Sequence, residues 1–248
     1  MGAVPGSVLA MALRQDQGIV LRGYPFGEAD KVVVLLSPNH GKVRAVAKGV
    51  RKTKSRFGGR LEPFTHVDVL LYEGRNLDTI TQVSVVEAYS HIRLDLDRVL
   101  AGGTMIEAID AVAQEGAGSH RQFLLLQRGL RALEAGPVHP DLVAAFLLKL
   151  AAIIGVAPSL AACAECGSAD NLSRFSLASG GVVCGLCSPD RGMKLRDGLT
   201  AHLAALAEAD LSNLPAATEL SRDAIGITRR FVEYHLERRL ESLSVLDG

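Results

Sequence analysis

The four cysteines of this 248-residue chain fall into two CxxC pairs. The first pair is Cys163 and Cys166, and the second, after 17 intervening residues, is Cys184 and Cys187. Each pair can wrap two thiolates round one side of a metal ion, and this spacing is typical of a tetrahedral four-cysteine zinc site. The sequence therefore predicts one zinc ion. Four cysteine ligands leave no open coordination position, which favours a structural role for the metal over a catalytic one.

The segment between the two pairs predicts a small hairpin, with strands at Leu172–Leu177 and Val182–Val183. A redox CxxC of the thioredoxin type would need one pair on a βαβ unit, which this segment does not predict. The module also carries four positive charges, so a secondary contact with nucleic acid is an alternative to a purely structural role. These charges are Arg174, Arg191, Lys194 and Arg196.

A second group of candidate functional residues is a run of positive charge without any acid. Its members are Lys42, Arg44, Lys48, Arg51, Lys52, Lys54, Arg56 and Arg60. With Lys31, residues 31–61 carry nine positive charges and no Asp or Glu, although the formal net charge of the chain is zero. The remainder of the chain is therefore strongly acidic. Such segregation indicates a localised positive field that faces an anionic partner.

Short strands surround this basic run. Polar and apolar residues alternate, or Val and Leu cluster, at Gln17–Arg22, Lys31–Leu36, Lys42–Lys48, His66–Tyr72 and Thr79–Val86. Five strands with a long connection between the third and the fourth are typical of an oligonucleotide-binding (OB) barrel, which we place at residues 11–90. Lys42 and Arg44 are then expected on the solvent face of the third strand, and residues 48–60 in the long loop.

Nucleic-acid sites on such barrels pair a basic groove with aromatic platforms for the bases. Tyr24 and Phe57 are the stacking candidates here, whereas Phe64 and Tyr72 are expected in the core. Because aromatic residues are scarce, binding should depend on phosphate contacts, with little readout of base sequence.

Helical periodicity replaces the strands beyond residue 91. Apolar residues recur at three- and four-residue steps from Leu96 to Val112, and we expect this helix to end at Gly116-Ala117-Gly118. Further helices are predicted at Phe123–Leu133, from His139 to Ile153, at Leu199–Ala209 and, as one long helix, at Thr218–Leu243. The helix from His139 to Ile153 is strongly apolar and should be central in a helical bundle. We expect residues 91–160 and 197–248 to form one helical domain, with the zinc module, residues 161–196, inserted.

The last predicted helix carries apolar residues on one face and many charges elsewhere. Its expected buried residues are Ile225, Phe231, Val232, His235, Leu236, Leu240 and Leu243. Its arginines alternate with acids, which favours a solvated face with salt bridges between residues four apart. An arginine-lined groove for an acidic peptide is the alternative.

Several classes of protein find no support in the sequence. There is no Walker loop, GxGxxG, HExxH or GxSxG motif, the seven histidines are isolated and the acids are dispersed, so we expect no enzyme. His120 and His139 are expected to be structural or solvent-facing. No apolar run could span a membrane and no secretory signal is visible, which with paired cysteines favours the cytoplasm. Residues 1–10 are expected to be a loose extension, with Met11 a plausible alternative start.

Several segments together resemble the bacterial recombination mediator family RecO. They are residues 27–31 (GEADK), 47–56 (AKGVRKTKSR) and 61–64 (LEPF), the two CxxC pairs, and Tyr234-His235-Leu236 with Arg239-Leu240 and Ser242. The resemblance covers the chain from Met11 to Leu246. The 47–56 segment combined with the order of domains is specific, whereas CxxC pairs alone would not be.

The resemblance implies an OB barrel, a helical domain and, in the zinc-bearing branch, a four-cysteine module. It implies binding of single- and double-stranded DNA and annealing of complementary strands, including strands coated with the single-strand-binding protein SSB. It also implies that the protein, together with RecR, helps to load RecA. The acidic tail of SSB would bind in the helical domain, and the protein would work in the bacterial cytoplasm at the nucleoid. The family's basic barrel residues correspond to Lys48, Arg51, Lys52, Lys54 and Arg56. A protein-interaction adaptor that binds an acidic partner and an RNA-binding barrel are the competing interpretations.

Overall fold

The computed structural model describes residues 13–188 and 192–244. These residues form two compact units. The first contains the chain up to Ala88 together with Glu115–Gly118, and the second contains Tyr89–Gln114 and the chain from Ser119 onward. The predicted α+β class is confirmed, because a closed five-stranded barrel is followed by helices and a four-cysteine cluster. The extension expected at residues 1–10, and Met11 after it, lie outside the described residues.

The first unit is a closed barrel with the strand order β1-β2-β3-β5-β4. The strands are β1 (Leu13–Phe26), β2 (Asp30–Ser37), β3 (Gly41–Ala47), β4 (His66–Tyr72) and β5 (Asp78–Glu87). All neighbouring strands are antiparallel except β3 and β5, which are parallel. This is the OB fold that the strand pattern predicted.

Strand β1 is much longer than the predicted Gln17–Arg22. Its first half pairs with β4 from Leu13 to Ile19, and its second half pairs with β2 from Ile19 to Phe26. One strand therefore pairs with two neighbours, and this pairing keeps both of its ends extended, although the local alternation of residues predicts no strand there. The register with β2 shifts between Val20 and Arg22, which marks a β-bulge.

A buried carboxylate joins β1 to the β2–β3 turn. Asp16 is 5% exposed and accepts hydrogen bonds from Ser37 Oγ at 2.6 Å and from the Gln17 amide at 2.9 Å. His40 Nδ1 lies 2.8 Å from its carboxylate and Asn39 Nδ2 lies 3.3 Å away. Burial alone would raise the pKa of Asp16, but these hydrogen bonds outweigh it and lower the pKa below the ordinary value of 3.8.

We expect Asp16→Asn to destabilise the barrel by about 2 kcal/mol at neutral pH, because an amide cannot accept all of these donors. Since the folded-state pKa is lowered, the contribution of Asp16 is fully present above pH 3.8 and is lost as the pH falls through the folded-state pKa. Urea unfolding followed by circular dichroism should show a difference between wild type and variant that shrinks below that pH. Asp68→Asn, at a half-buried site on β4, is the control. A difference that grows with acidity would contradict this account.

The second unit is built around one buried helix. Its helices are α1 (Leu96–Val112), α2 (His120–Ala135), α3 (Leu142–Ile153), α4 (Leu199–Glu208), α5 (Ser221–Leu236) and the single turn α6 (Glu241–Ser244). Helix α3 is buried over most of its length, which confirms its predicted central place. Gly129 of α2 allows close packing there, because a Cβ at this position would lie 2.8 Å from Met105 Sδ and 3.1 Å from Phe146 Cδ2.

Helix α1 ends earlier than expected. Its last residue is Val112, and Ala113 is already extended, so the predicted stop at Gly116-Ala117-Gly118 is wrong by several residues. The chain leaves the helix because Glu115 forms β-bridges with Gly41 and Lys42 of β3. Such a distant partner leaves no local signal in the helical sequence.

Three histidines that are isolated in the sequence, His40, His91 and His202, meet carboxylates in the fold. His40 contacts Asp16, and His202 Nε2 lies 3.1 Å from Asp141, which is fully buried and also accepts a hydrogen bond from Ser221 Oγ at 2.9 Å. The latter group ties the start of α3 to α4 and α5.

The prediction of one long helix from Thr218 to Leu243 is wrong. Helix α5 ends at Leu236, and Glu237 takes the left-handed conformation with φ of 50°. The turn that follows is held by carboxylates: Glu233 Oε1 accepts from the Leu240 amide at 2.8 Å. Glu107 of α1 accepts from the first two amides of α6, at 2.9 and 3.0 Å. Leu240 is buried as predicted, whereas the Leu243 side chain lies outside the described residues.

Candidate nucleic-acid interface and metal centre

The eight basic residues singled out in the sequence divide between a strand and a loop. Lys42 and Arg44 lie on β3, and the other six lie in residues 48–60, which we call the basic loop. Lys42 is half-buried and the remaining seven side chains are exposed. All of them belong to the barrel unit. Their contact with DNA stays a prediction.

The barrel holds the basic loop in place. The Gly49 amide donates to Asp30 Oδ1 at 2.8 Å, and the Arg51 amide donates to the Ala29 carbonyl at 3.0 Å. Further along, Phe57 and Leu61 are each 1% exposed and belong to the barrel core. The charged side chains are therefore presented from a backbone that is fixed at both ends, which reduces the entropy lost on binding.

Two predictions about the aromatic residues are wrong. Phe57, a stacking candidate, is buried, because the basic loop contributes it to the barrel core; the Arg56 guanidinium lies 4.8 Å from its ring centroid. Tyr72, expected in the core, is 39% exposed at the end of β4. Phe64 is buried as predicted. The other stacking candidate, Tyr24, is half-buried, and the neighbouring Phe26 is 47% exposed.

Carboxylates reach this surface at two points. Lys31 Nζ lies 3.3 Å from Glu62 Oε1, and Arg44 Nη1 lies 3.7 Å from Glu115 Oε1. Glu62 and Glu115 are well exposed, so each pair is weak and a DNA phosphate can compete for the cation. A hydrogen bond to Tyr24 Oη, with a smaller effect from Glu115, raises the pKa of Arg44.

The structure brings the four predicted metal ligands together. The Sγ atoms of Cys163, Cys166, Cys184 and Cys187 all lie within 4.8 Å of one another. The Sγ atoms of Cys166 and Cys184 are 3.8 Å apart. A tetrahedral site with metal–sulfur bonds of about 2.3 Å has sulfur–sulfur edges of about 3.8 Å, so the cluster fits a metal ion such as zinc.

Backbone hydrogen bonds around the cluster favour the thiolate form of Cys163. The Cys184 amide donates to Cys163 Sγ at 3.4 Å. Hydrogen bonds from the backbone of Cys166 and Cys184 lower the pKa of Cys163 to about 6. Hydrogen bonding with the Cys166 and Cys184 thiols raises the pKa of Cys187. Gly167, with φ of 76°, makes the tight turn after the first pair.

A three-stranded sheet supports the cluster. It consists of β6 (Leu172–Ser176), β7 (Gly181–Cys184) and β8 (Met193–Lys194), in the order β7-β6-β8, and it includes the predicted hairpin. Phe175 of β6 packs edge-on against Phe231 of α5, with ring centroids 5.6 Å apart, and both side chains are 1% exposed. The cysteine module is therefore joined to the helices through a shared apolar contact.

A surface groove of about 1130 Å³ runs along α5. Its lining includes Arg196, Arg222, Arg229, Arg230 and Arg239, together with Ile225 and Gly226. Part of the charge is paired within the unit, since Arg229 contacts Glu233 at 3.0 Å, as the i,i+4 pattern predicted. Arg196 contacts Asp223 at 3.1 Å and Glu219 at 3.2 Å. Both sequence interpretations of this helix therefore have structural counterparts, a salt-bridged face and an arginine-lined groove.

In the part of the chain that the structure describes, no helix is both long and apolar enough to cross a membrane.

Comparison with known proteins covers nearly the whole chain. The sequence model described as "Recombination protein O N terminal" matches residues 11–89, and the one described as "Recombination protein O C terminal" matches residues 93–244. Proteins named "DNA repair protein RecO" from Thermobifida fusca, Nocardioides sp. and Streptomyces griseus are 43%, 45% and 41% identical to this chain. These matches span 96%, 95% and 96% of this chain and 99%, 99% and 100% of the respective relatives.

Proposed function

The chain belongs to the RecO family of DNA repair proteins, and from this premise we propose that it binds single- and double-stranded DNA and anneals complementary strands. The observation that carries the proposal is the basic loop, whose six exposed cations are held on an OB barrel. Phosphate neutralisation by these side chains and by Lys42 and Arg44 reduces the repulsion between two strands. Few base contacts leave the base edges available for pairing. The protein makes and breaks no covalent bond in this process and is not an enzyme.

The cysteine cluster holds one zinc ion in this proposal. Four thiolates saturate the metal, which supplies a crosslink between the two CxxC pairs. The role is structural: the metal fixes the β6–β8 sheet and, through Phe175 and Phe231, the packing of α5.

We infer the protein partners of this chain from its membership of the RecO family. The protein would act on strands coated with SSB and, together with RecR, help load RecA, at the nucleoid in the bacterial cytoplasm. The tail of SSB is acidic with an apolar end, and the groove along α5 offers matching chemistry. Exposed Arg222, Arg230 and Arg239 line the groove for the acids, beside Ile225.

Annealing of SSB-coated complementary strands tests the proposal. We expect the wild-type chain to raise the annealing rate of two labelled strands, both bare and coated, in proportion to its concentration. Coated strands should anneal more slowly when SSB lacks its acidic tail, because the proposed groove contact is lost. No acceleration with either substrate would refute the proposed function.

Two binding competitions separate the alternatives. An adaptor that uses the basic loop for an acidic protein would bind an acidic peptide more tightly than a single-stranded oligonucleotide of equal charge. An RNA-binding barrel would prefer RNA over DNA of the same sequence, through contacts to the 2′-hydroxyl groups. We expect DNA to bind at least as tightly as either competitor.

A further inference from the structure

The bulge in β1 turns three side chains to the outside of the barrel. Before the bulge, Val20 pairs with Leu35, and both belong to the barrel core. With regular alternation, every second residue after Val20 would also point inward. The extra residue in the bulge reverses this, so that Arg22 pairs with Val34 and Tyr24 with Val32, on the outer face.

The same outer face receives basic side chains from β3. Arg44 pairs with Val34 and Lys42 with Leu36, so Arg22, Val34 and Arg44 form one row across three strands. Val32 and Val34 are 1% and 0% exposed, whereas Arg22 and Arg44 are exposed. The face thus has an apolar floor on β2 and cations on both flanking strands.

Tyr24 lies between two guanidinium groups on this face. The Arg22 guanidinium carbon is 5.8 Å from the centre of the Tyr24 ring, and Arg44 Nη2 donates to Tyr24 Oη at 3.4 Å. Phe26 follows two residues later, on the same face and about 6.7 Å further along the strand. An aromatic ring held by cations, beside a second exposed ring, is the combination that binds bases and phosphates of single strands.

We propose that Arg22, Tyr24 and Arg44 form a subsite for single-stranded DNA, in which a base stacks on Tyr24 and the two guanidinium groups bind the adjacent phosphates. This inference rests on the proposed function and goes beyond it by adding an aromatic platform to the basic loop. In a duplex the bases are stacked on one another and cannot reach Tyr24. The subsite therefore favours single strands, whereas the basic loop binds either form through phosphates.

Binding of a labelled 15-mer of dT and of a 15-base-pair duplex tests the subsite. We expect Tyr24→Leu to weaken single-strand binding about tenfold, the effect of losing one base–aromatic stack, and duplex binding by less than twofold. Tyr24→Phe keeps the ring and should retain single-strand affinity within about twofold. Glu115→Gln removes the acid beside Arg44 and should tighten single-strand binding.

A fluorescence measurement tests the subsite without relying on differences in affinity. The chain has no tryptophan, so Tyr24→Trp creates a single reporter. We expect the 15-mer to quench its fluorescence and the duplex to leave it nearly unchanged. If the wild type binds DNA but Tyr24→Leu binds single strands equally well, or the reporter is not quenched, the subsite is wrong and the proposed function stands. If the wild type binds neither DNA, both proposals fail.

Discussion

A chain carrying Lys52→Ala together with Arg56→Ala is expected to bind single-stranded DNA roughly 25-fold more weakly than the wild type at 0.1 M salt. Both side chains are exposed on the basic loop. If the wild type neutralises about six phosphates, the slope of log affinity against log salt is about −4, and loss of two contacts reduces it to about −3. The difference in affinity should therefore shrink as the salt concentration rises, and annealing should slow in parallel.

The control is an exposed cation of the same barrel that lies outside the basic loop. Arg75, in the β4–β5 turn, meets this condition, and Arg75→Ala should leave the salt slope unchanged. Circular dichroism should show both proteins folded, because Phe57 and Leu61 still anchor the loop in the core. An unchanged slope in the double variant would mean that the basic loop is not the DNA-binding surface.

The basic loop also shows what local sequence can and cannot predict. Its charge and its place after the third strand follow from composition and alternation. The burial of Phe57 does not, because an aromatic residue among cations suits a stacking platform and a core anchor equally well. Only the docking of the loop on the barrel, through Gly49 to the start of β2 and through Arg51 to the β1–β2 turn, distinguishes the two.

The bounds of the strands likewise follow partly from local sequence and partly from tertiary contacts. β4 runs from His66 to Tyr72 as predicted, because its alternating apolar residues bury one face. β1 extends four residues beyond its predicted bounds at each end. Its own propensity does not account for this; rather, pairing with β4 and with β2 holds Leu13 and Phe26 in the sheet. Cross-strand partners that lie tens of residues away determine such ends.

The turn after α5 is another feature without a local signal. Helices commonly end at a glycine in the left-handed conformation, but Glu237 takes that conformation here. Hydrogen bonds from Leu240 to Glu233 and from α6 to Glu107 hold the turn. The long-range partner on α1 is invisible to any reading of residues 218–243 alone.

The cysteine cluster, unlike that turn, has a local sequence signal, because the spacing within each CxxC pair constrains the backbone geometry. The sequence predicts all four ligands, and the structure places their sulfur atoms within 4.8 Å of one another. What the spacing does not predict is the contact between Phe175 and Phe231, which connects the cluster to α5. Because of this contact, loss of the metal is expected to affect α5 as well as the cysteine module.

We expect purified protein to contain about one zinc ion per chain, and Cys184→Ser to remove most of it, because three thiolates bind zinc much more weakly than four. Cys184 is buried, so its replacement also leaves a polar group in the module. Metal analysis should find zinc rather than iron, the other metal that four thiolates commonly hold. Leu186→Ser is the matched control, because Leu186 lies between the two ligands of the second pair, is 91% exposed and should not affect metal content.

Removal of the metal should unfold the module without unfolding the α1–α3 core. In wild-type protein treated with a chelator in reducing buffer, amide hydrogen exchange should accelerate across residues 161–188, because no crosslink then holds the two pairs together. Exchange should also accelerate in α5 near Phe231, which loses its contact with Phe175. The interior amides of α3 should stay protected, since that helix is buried by other helices. A metal-free chain whose module remains fully protected would show that the sheet and its apolar contacts are sufficient and that the metal is not a structural element.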